Sequence, residues 1–170
     1  MELETSRLIV RPITMEEATT VAIRITEKIS RWTAPIPWPY TSMDARNWVR
    51  NTEDAKRLGI FLKPELILIG ATSMPTVNGD EAGVWINEKY EGCGFATEAV
   101  DAVIAYAFMR NGLDLLESWV HRDNAASRRV HEKLGYSLSA VTEKFWPNKD
   151  AMVPVVVYRM TRSAWLLREG

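Results

Sequence analysis

The sequence predicts an α/β (α+β) domain built around a mixed sheet flanked by helices. Three observations carry this expectation. Val100, Val103, Ile104, Ala107 and Phe108 recur at helical spacing and form the clearest amphipathic stripe in the chain. Three short apolar runs, over residues 59–62, 66–73 and 82–87, follow one another with turn residues between them, as in an antiparallel meander. The signals run in the order β-α-α-β-β-β-α-β-α-β-β, which suits an α/β domain and departs from the strict alternation of a doubly wound dinucleotide fold.

Residues 7–12, Arg-Leu-Ile-Val-Arg-Pro, read as a first strand stopped by Pro12. Thr14-Met15-Glu16-Glu17 is a capping box, with Thr at the cap and Glu three residues on. It opens one expected helix carrying Ala18, Val21, Ala22, Ile25, Ile29 and Trp32. A connection rich in proline and aromatic residues spans 33–40. A second capped helix begins near Ser42, with Ala45, Trp48, Val49 and Thr52 on one side. Lys63-Pro64-Glu65 and Val77-Asn78-Gly79-Asp80 supply the turns of the meander. After the glycine-rich stretch at 92–94 the striped helix runs to a stop at Gly112. Residues 115–121 form a strand and 123–133 a short helix ended by Gly135. Residues 136–141 and 152–160 are the last strands.

The bulk properties exclude several classes. At 170 residues the chain is read as a single domain over 1–170, with 46% apolar and 25% charged residues, ordinary for a globular core. A net charge of −1 gives no electrostatic reason to expect nucleic acid or an anionic membrane as partner. One cysteine rules out an internal disulfide and offers no zinc cluster, so no metal is expected. The first residues lack a basic-then-apolar signal pattern and no apolar run approaches a membrane span, so a cytoplasmic location is expected.

The most informative stretch is Tyr90-Glu91-Gly92-Cys93-Gly94-Phe95-Ala96-Thr97-Glu98-Ala99-Val100. A strand, a loop nearly free of side chains and a helix N-terminus together make an anion cradle. Its backbone N–H groups converge, the missing Cβ atoms admit a phosphate, and the helix end adds partial positive charge. A tight strand-to-helix turn would also explain the glycines. The loop lacks the Lys-Ser/Thr ending of a Walker loop, and Thr97 replaces the third glycine of GxGxxG. A second element follows one strand later, Asp123-Asn124-Ala125-Ala126-Ser127-Arg128-Arg129-Val130-His131-Glu132-Lys133-Leu134-Gly135-Tyr136.

Carrying both elements in this order, the chain resembles the GNAT superfamily of acetyl-CoA-dependent N-acetyltransferases. The pattern Arg/Gln-x-x-Gly-x-Gly/Ala falls on residues 91–96 and is followed by Thr97-Glu98-Ala99. The pattern Asn-x-x-Ser with Lys-x-Gly-Phe/Tyr falls on Asn124, Ser127, Lys133, Gly135 and Tyr136. Residues 5–12 and 81–86 are similar to the branch that acetylates ribosomal-protein N-termini. The resemblance implies a mostly antiparallel, twisted sheet with splayed central strands, acetyl-CoA as cofactor, and direct transfer to an amine in a ternary complex. The implied acceptor is a protein N-terminal α-amine. A small amine (an antibiotic, amino acid or polyamine) and a non-catalytic acyl-CoA sensor stay open as alternatives, as do a monomer or a homodimer.

The resemblance also implies a site. The amides of Gly92, Cys93, Gly94, Phe95, Ala96 and Thr97, with the Thr97 hydroxyl, would hold the pyrophosphate. Glu91 departs from the pattern, because an acid stands beside that phosphate, and it would point into solvent or pair with Lys89 or Arg128. The pantetheine arm would run between the strands ending near Asn87 and His121, with an N–H of Ile86 or Asn87 polarising the thioester carbonyl. Asn124 would bond the arm or cap its helix. Arg128, Arg129 and Lys133 would meet the 3′-phosphate. Glu81 is the expected base, His131 or Ser127 the donor to the thiolate, and His121 a further relay candidate. Cys93 is read as a loop filler. Trp32, Trp38, Tyr40 and Trp85, with Trp146, would line an aromatic acceptor slot.

Overall fold

A computed structural model describes residues 1–50, 57–76 and 82–169. In chain order the elements are β1 (Leu3–Glu4), β2 (Leu8–Pro12), α1 (Ala18–Arg24), α2 (Glu27–Trp32), α3 (Ser42–Arg50), β3 (Arg57–Leu62), β4 (Ile67–Ser73), β5 (Val84–Ile86), α4 (Phe95–Met109), β6 (Leu115–His121), α5 (Ala125–Lys133), β7 (Ser137–Trp146), β8 (Ala151–Thr161) and α6 (Arg162–Glu169). Short 3-10 turns precede α1, lie between β5 and α4, and join β7 to β8.

The strands form two sheets. One has five strands in the order β1-β2-β3-β4-β5, the other three in the order β6-β8-β7. The ladders are antiparallel among the described residues, including the expected meander from β3 to β5. β5 and β6 are consecutive strands, yet they sit in different sheets and share no ladder. The expected splay is therefore a real split. α4 bridges it, because Val100, Val103, Ile104, Ala107 and Phe108 pack in one core with Val10, Ile60 and Ile69 of the first sheet and Leu116, Val156 and Tyr158 of the second. Burying side chains of this size contributes about 1.5–3 kcal/mol each, enough to hold two sheets together without hydrogen bonds between them.

The backbone of β5 is aimed by its ladder. Ser73 N donates to Gly83 O at 3.0 Å and Asn87 N to Ile69 O at 2.8 Å. In an antiparallel pair such bonded positions alternate, so the N–H and C=O of Val84 and Ile86 turn away from β4, toward the split. Gly70 faces Ile86 in the register, and a Cβ there would collide with the carbonyl oxygen of Trp85. Only glycine lets β5 approach this closely.

The structure corrects several element boundaries. The single helix expected from Thr14 through Trp32 is two, broken where Ile25 is extended (φ −75°, ψ 128°). Ile25 ends the first and Thr26 caps the second, the Thr26 hydroxyl accepting from Ile29 N. The apolar period runs through the break because Val21 of α1, Ile25 at the break and Ile29 of α2 are buried in one cluster. Arg24 O, released by the break, accepts from Asn87 Nδ2 at 2.9 Å. The strand expected over 136–141 continues to Trp146 and forms a hairpin with β8. β1 and α6 carried no sequence signal strong enough to place them. α6 docks through Trp165, whose ring lies 5.6 Å from that of Phe108. Thr52 and the turn at residues 77–80 lie outside the described residues.

Candidate active site

The site starts at the loop before α4. Gly92 (φ +76°) and Gly94 (φ +83°) take left-handed conformations that a side chain would strain. The first helical bond runs from Glu98 N to Gly94 O at 3.1 Å, and among the described residues the N–H groups of 92–97 find no backbone acceptor. A Cβ on Gly92 would meet nothing within 4 Å, so the outer face of the loop is open. Unpaired donors, an open face and a helix N-terminus suit a pyrophosphate. The group fits.

The cradle is braced from the N-terminal segment. Glu98 Oε1 accepts from Thr5 Oγ1 (2.6 Å), Ser6 Oγ (3.1 Å) and Arg7 N (2.9 Å), and Oε2 from Arg7 Nε (2.7 Å). Arg7 also donates to Cys93 O at 3.0 Å and lies 4.5 Å from the centre of the Phe95 ring. Burial opposes ionisation of Glu98, but these hydrogen bonds outweigh it and hold its carboxyl below the ordinary glutamate value. The Thr5-Ser6-Arg7 and Thr97-Glu98-Ala99 segments are thus two halves of one clamp. Glu91 pairs with Lys28 of α2 at 2.6 Å rather than with Lys89 or Arg128. That hydrogen bond raises the Lys28 amine above its usual value. Cys93 is exposed, with Sγ 3.6 Å from Glu91 O, and does not line the cleft.

Beyond the cradle the split between β5 and β6 forms the middle of the cleft. Asn87 is buried, its N–H, Nδ2 and Oδ1 meet Ile69 O, Arg24 O and Lys89 N respectively, and it does not line the cleft. Its backbone N–H is spent on β4 and cannot polarise a carbonyl without breaking that bond. Ile86, whose backbone faces the split, has no such commitment to β4. Asn124 caps α5 through Oδ1, which accepts from Ser127 N at 3.1 Å, and its Nδ2 is left for the cleft. The Ser127 side chain lines the same space. Arg129 and Lys133 line the cleft as well. Arg128 does not, and its guanidinium instead reaches Tyr158 Oη and Arg122 O, each at 3.5 Å.

His131 is buried rather than presented on the helix surface. Its Nδ1 lies 2.8 Å from Ser127 O and its Nε2 2.8 Å from Ser118 Oγ. A carbonyl oxygen can only accept, so the proton is assigned to Nδ1 and the Ser118 hydroxyl donates to Nε2. Burial holds the imidazole below its ordinary pKa. His121 is also buried, between the rings of Trp32 and Trp146, with Asp123 N donating to Nδ1 and Lys149 Nζ 3.4 Å from Nε2. Burial, then the Lys149 charge, lower its pKa.

The cleft has a volume of about 780 Å³ and joins the glycine loop, β5, β6 and α5 into one space, with His121 outside its lining. At its far end Trp32, Trp85 and Trp146 line the wall, together with Trp119 and Lys144, which sequence reasoning missed. Lys144 Nζ stands 4.6 Å from the centre of the Trp119 ring. The Trp146 indole N–H is buried without a partner among the described residues. Trp38 is half exposed and Tyr40 packs in the α1–α3 cluster, where burial pushes its phenol up to about 12. Neither lines the cleft. Glu81 lies outside the described residues, next to Ala82 and Gly83 of the cleft wall.

A split sheet beside a loop of open amides at a helix N-terminus suits a phosphate-bearing carrier laid along a strand edge. Residues 7–137 match the acetyltransferase (GNAT) domain family, and the chain belongs to that family of acetyltransferases. It is 25% identical over 131 residues, 74% of this chain and 77% of the relative, to the "Uncharacterized N-acetyltransferase YnaD" of Bacillus subtilis (strain 168). The GNAT-family acetyltransferase structure from Bacillus anthracis superposes with a TM-score of 0.86 at 24% identity, covering 96% of this chain and 99% of that one. RimL, a ribosomal L7/L12 alpha-N-protein acetyltransferase in complex with coenzyme A, superposes at 0.79 and 14% identity, covering 96% and 99%.

Proposed function

We propose that this chain transfers the acetyl group of acetyl-CoA to a primary amine by direct attack, and that the acceptor is a peptide or protein N-terminal α-amine. The observation that carries this reading is the single cleft joining the open amides of 92–97, the outward backbone of Ile86 and the tryptophan-lined end. When bound, acetyl-CoA supplies an acetyl group activated as a thioester. The amides of 92–97 and the Thr97 hydroxyl hold its pyrophosphate, while Lys28 keeps Glu91 neutralised beside it. Arg129 and Lys133, the cleft-facing cations of α5, replace Arg128 as the contacts to the 3′-phosphate.

Asn124 Nδ2 and the backbone of Val84 and Ile86 align the arm, and the Ser127 hydroxyl donates at its sulfur end. The Ile86 N–H polarises the acetyl carbonyl and stabilises the negative charge that develops on its oxygen. Glu81 takes the proton of the entering ammonium, because only the neutral amine is a nucleophile. Trp32 and Trp85 wall the acceptor, and the unpartnered Trp146 N–H suits a peptide carbonyl next to the reacting amine. The aromatic walls also favour a second reading, a compact aromatic amine. Thiol release from acetyl-CoA, measured with short peptides bearing free N-termini and with small amines, tests this function. Turnover only with small amines would replace the peptide reading, and tight acyl-CoA binding without turnover would make the chain a sensor.

A further inference from the structure

We propose that Ser118 and His131 form a proton-relay pair that carries the surplus proton of the attacking amine to the departing sulfur, with Ser118 touching the reacting atoms and His131 acting through it. The inference rests on the acetyl-transfer reading above. Ser118 is 4% exposed, lines the cleft on β6, and donates to His131 Nε2 at 2.8 Å. Leu116, Ser118 and Val120 share the face of β6 toward α4 and α5, whereas Trp119 packs with Trp146 on the other. The pair therefore lies on the cofactor side of the split, and the acceptor approaches from the tryptophan side. Ser127 also lines the cleft, but no proton-holding group stands behind its hydroxyl among the described residues. Ser118 has one.

Attack by the neutral amine forms the N–C bond and breaks the C–S bond, whose electron pair goes to sulfur. The nitrogen then carries one proton too many and the sulfur one too few. Ser118 Oγ accepts the proton from nitrogen as its own hydroxyl proton passes to Nε2. The reverse pass, from Nε2 to Oγ and from the hydroxyl to sulfur, leaves free thiol, neutral amide and the pair as it began. His131 must start neutral with a bare Nε2, as the bond from Nδ1 to Ser127 O requires. The groups facing it are the rings of Tyr136 and Tyr158, each 5.1 Å away, and Glu132 on its own helix, whose carboxylate accepts from Tyr158 Oη at 3.1 Å.

The test combines kinetics with imidazole nitrogen NMR on the full chain. With a peptide that the wild type acetylates, Ser118→Ala should lower kcat about 100-fold, at the low end for a lost proton transfer, with KM for acetyl-CoA within twofold. Ser118→Thr should restore most of it, and His131→Gln should lose the acid limb of the kcat–pH profile. A Ser118→Ala kcat within threefold of wild type, an acid limb that persists in His131→Gln, or an acetylated Ser118 peptide in the mass spectrum would each overturn the relay. NMR needs no turnover and so separates failure of the pair from failure of the acetyl-transfer reading. It should show His131 protonated on Nδ1 alone, with the Nε2 resonance moving when coenzyme A is added. An Nε2-protonated tautomer or an unmoved resonance would contradict the pair.

Discussion

The Lys28 ammonium stands 2.6 Å from the Glu91 carboxylate at the rim of the glycine loop. It neutralises the acid beside the proposed pyrophosphate cradle. Both side chains are nearly half exposed, so the pair adds little to stability, and its effect falls on ligand charge. Lys28→Ala should weaken acetyl-CoA binding about two- to fivefold, as expected for one uncompensated charge at about 6 Å in a watery setting. Glu91→Gln should tighten it by a similar factor. Titration calorimetry at low and high salt checks both, and both effects should shrink in high salt.

Glu98 gathers the N-terminal segment onto α4, and losing its charge should loosen both. Glu98→Gln should cost about 1.5–3 kcal/mol, the worth of hydrogen bonds to a charged group. For a chain of this length that is a fall of roughly 3–10 °C in Tm. The folded-state pKa is lowered, so the contribution is present above the ordinary carboxylate range and fades as pH falls through the folded value. Thermal melts of wild type and Glu98→Gln should therefore converge in acid. A constant gap at all pH values would contradict the clamp.

The chain has two histidines, and both are buried with lowered pKa. Unfolding then takes up protons near and below the ordinary histidine value of 6.5. The stability they confer is present above that value and is lost as pH falls through their folded-state values. Denaturant melts from pH 7.5 to 5.5 should show a steady loss, with a slope that cannot exceed about 2.7 kcal/mol per pH unit for two protons. His131→Gln should flatten the curve. Rising stability toward pH 5.5 would contradict the burial of both rings.

Trp146 offers a buried indole N–H with no partner among the described residues. Trp146→Phe keeps most of the ring and removes the donor. It should raise KM for a peptide acceptor about five- to tenfold, the worth of one hydrogen bond, and leave KM for acetyl-CoA alone. Equal changes in both constants would place the indole outside the acceptor end.

Much of this was legible in the sequence because the cofactor half of the site is built from backbone. Gly92 and Gly94 announce their left-handed conformations, Asn124 announces a cap, and the α4 stripe announces the core. The Ser118–His131 contact was not legible, because β6 and α5 meet only through the packing of α5 on the second sheet. His131 could be placed on its helix but not turned inward. The same limit hid Lys28, which reaches Glu91 from an unforeseen second helix, and Asn87, whose side-chain Nδ2 donates to Arg24 O at the end of α1. Trp38 and Tyr40 shared a composition with the slot-lining tryptophans but not a direction. Segment composition does not encode direction.

Following acetyl-CoA with peptides bearing free α-amines, with thiol release and peptide mass recorded together, tests acetyl transfer to an N-terminus in one assay. Stoichiometric thiol and N-terminally acetylated peptide should appear, with turnover lost when the peptide N-terminus is blocked. Acetyl-CoA that raises the melting temperature yet yields no thiol with any peptide or amine would contradict it.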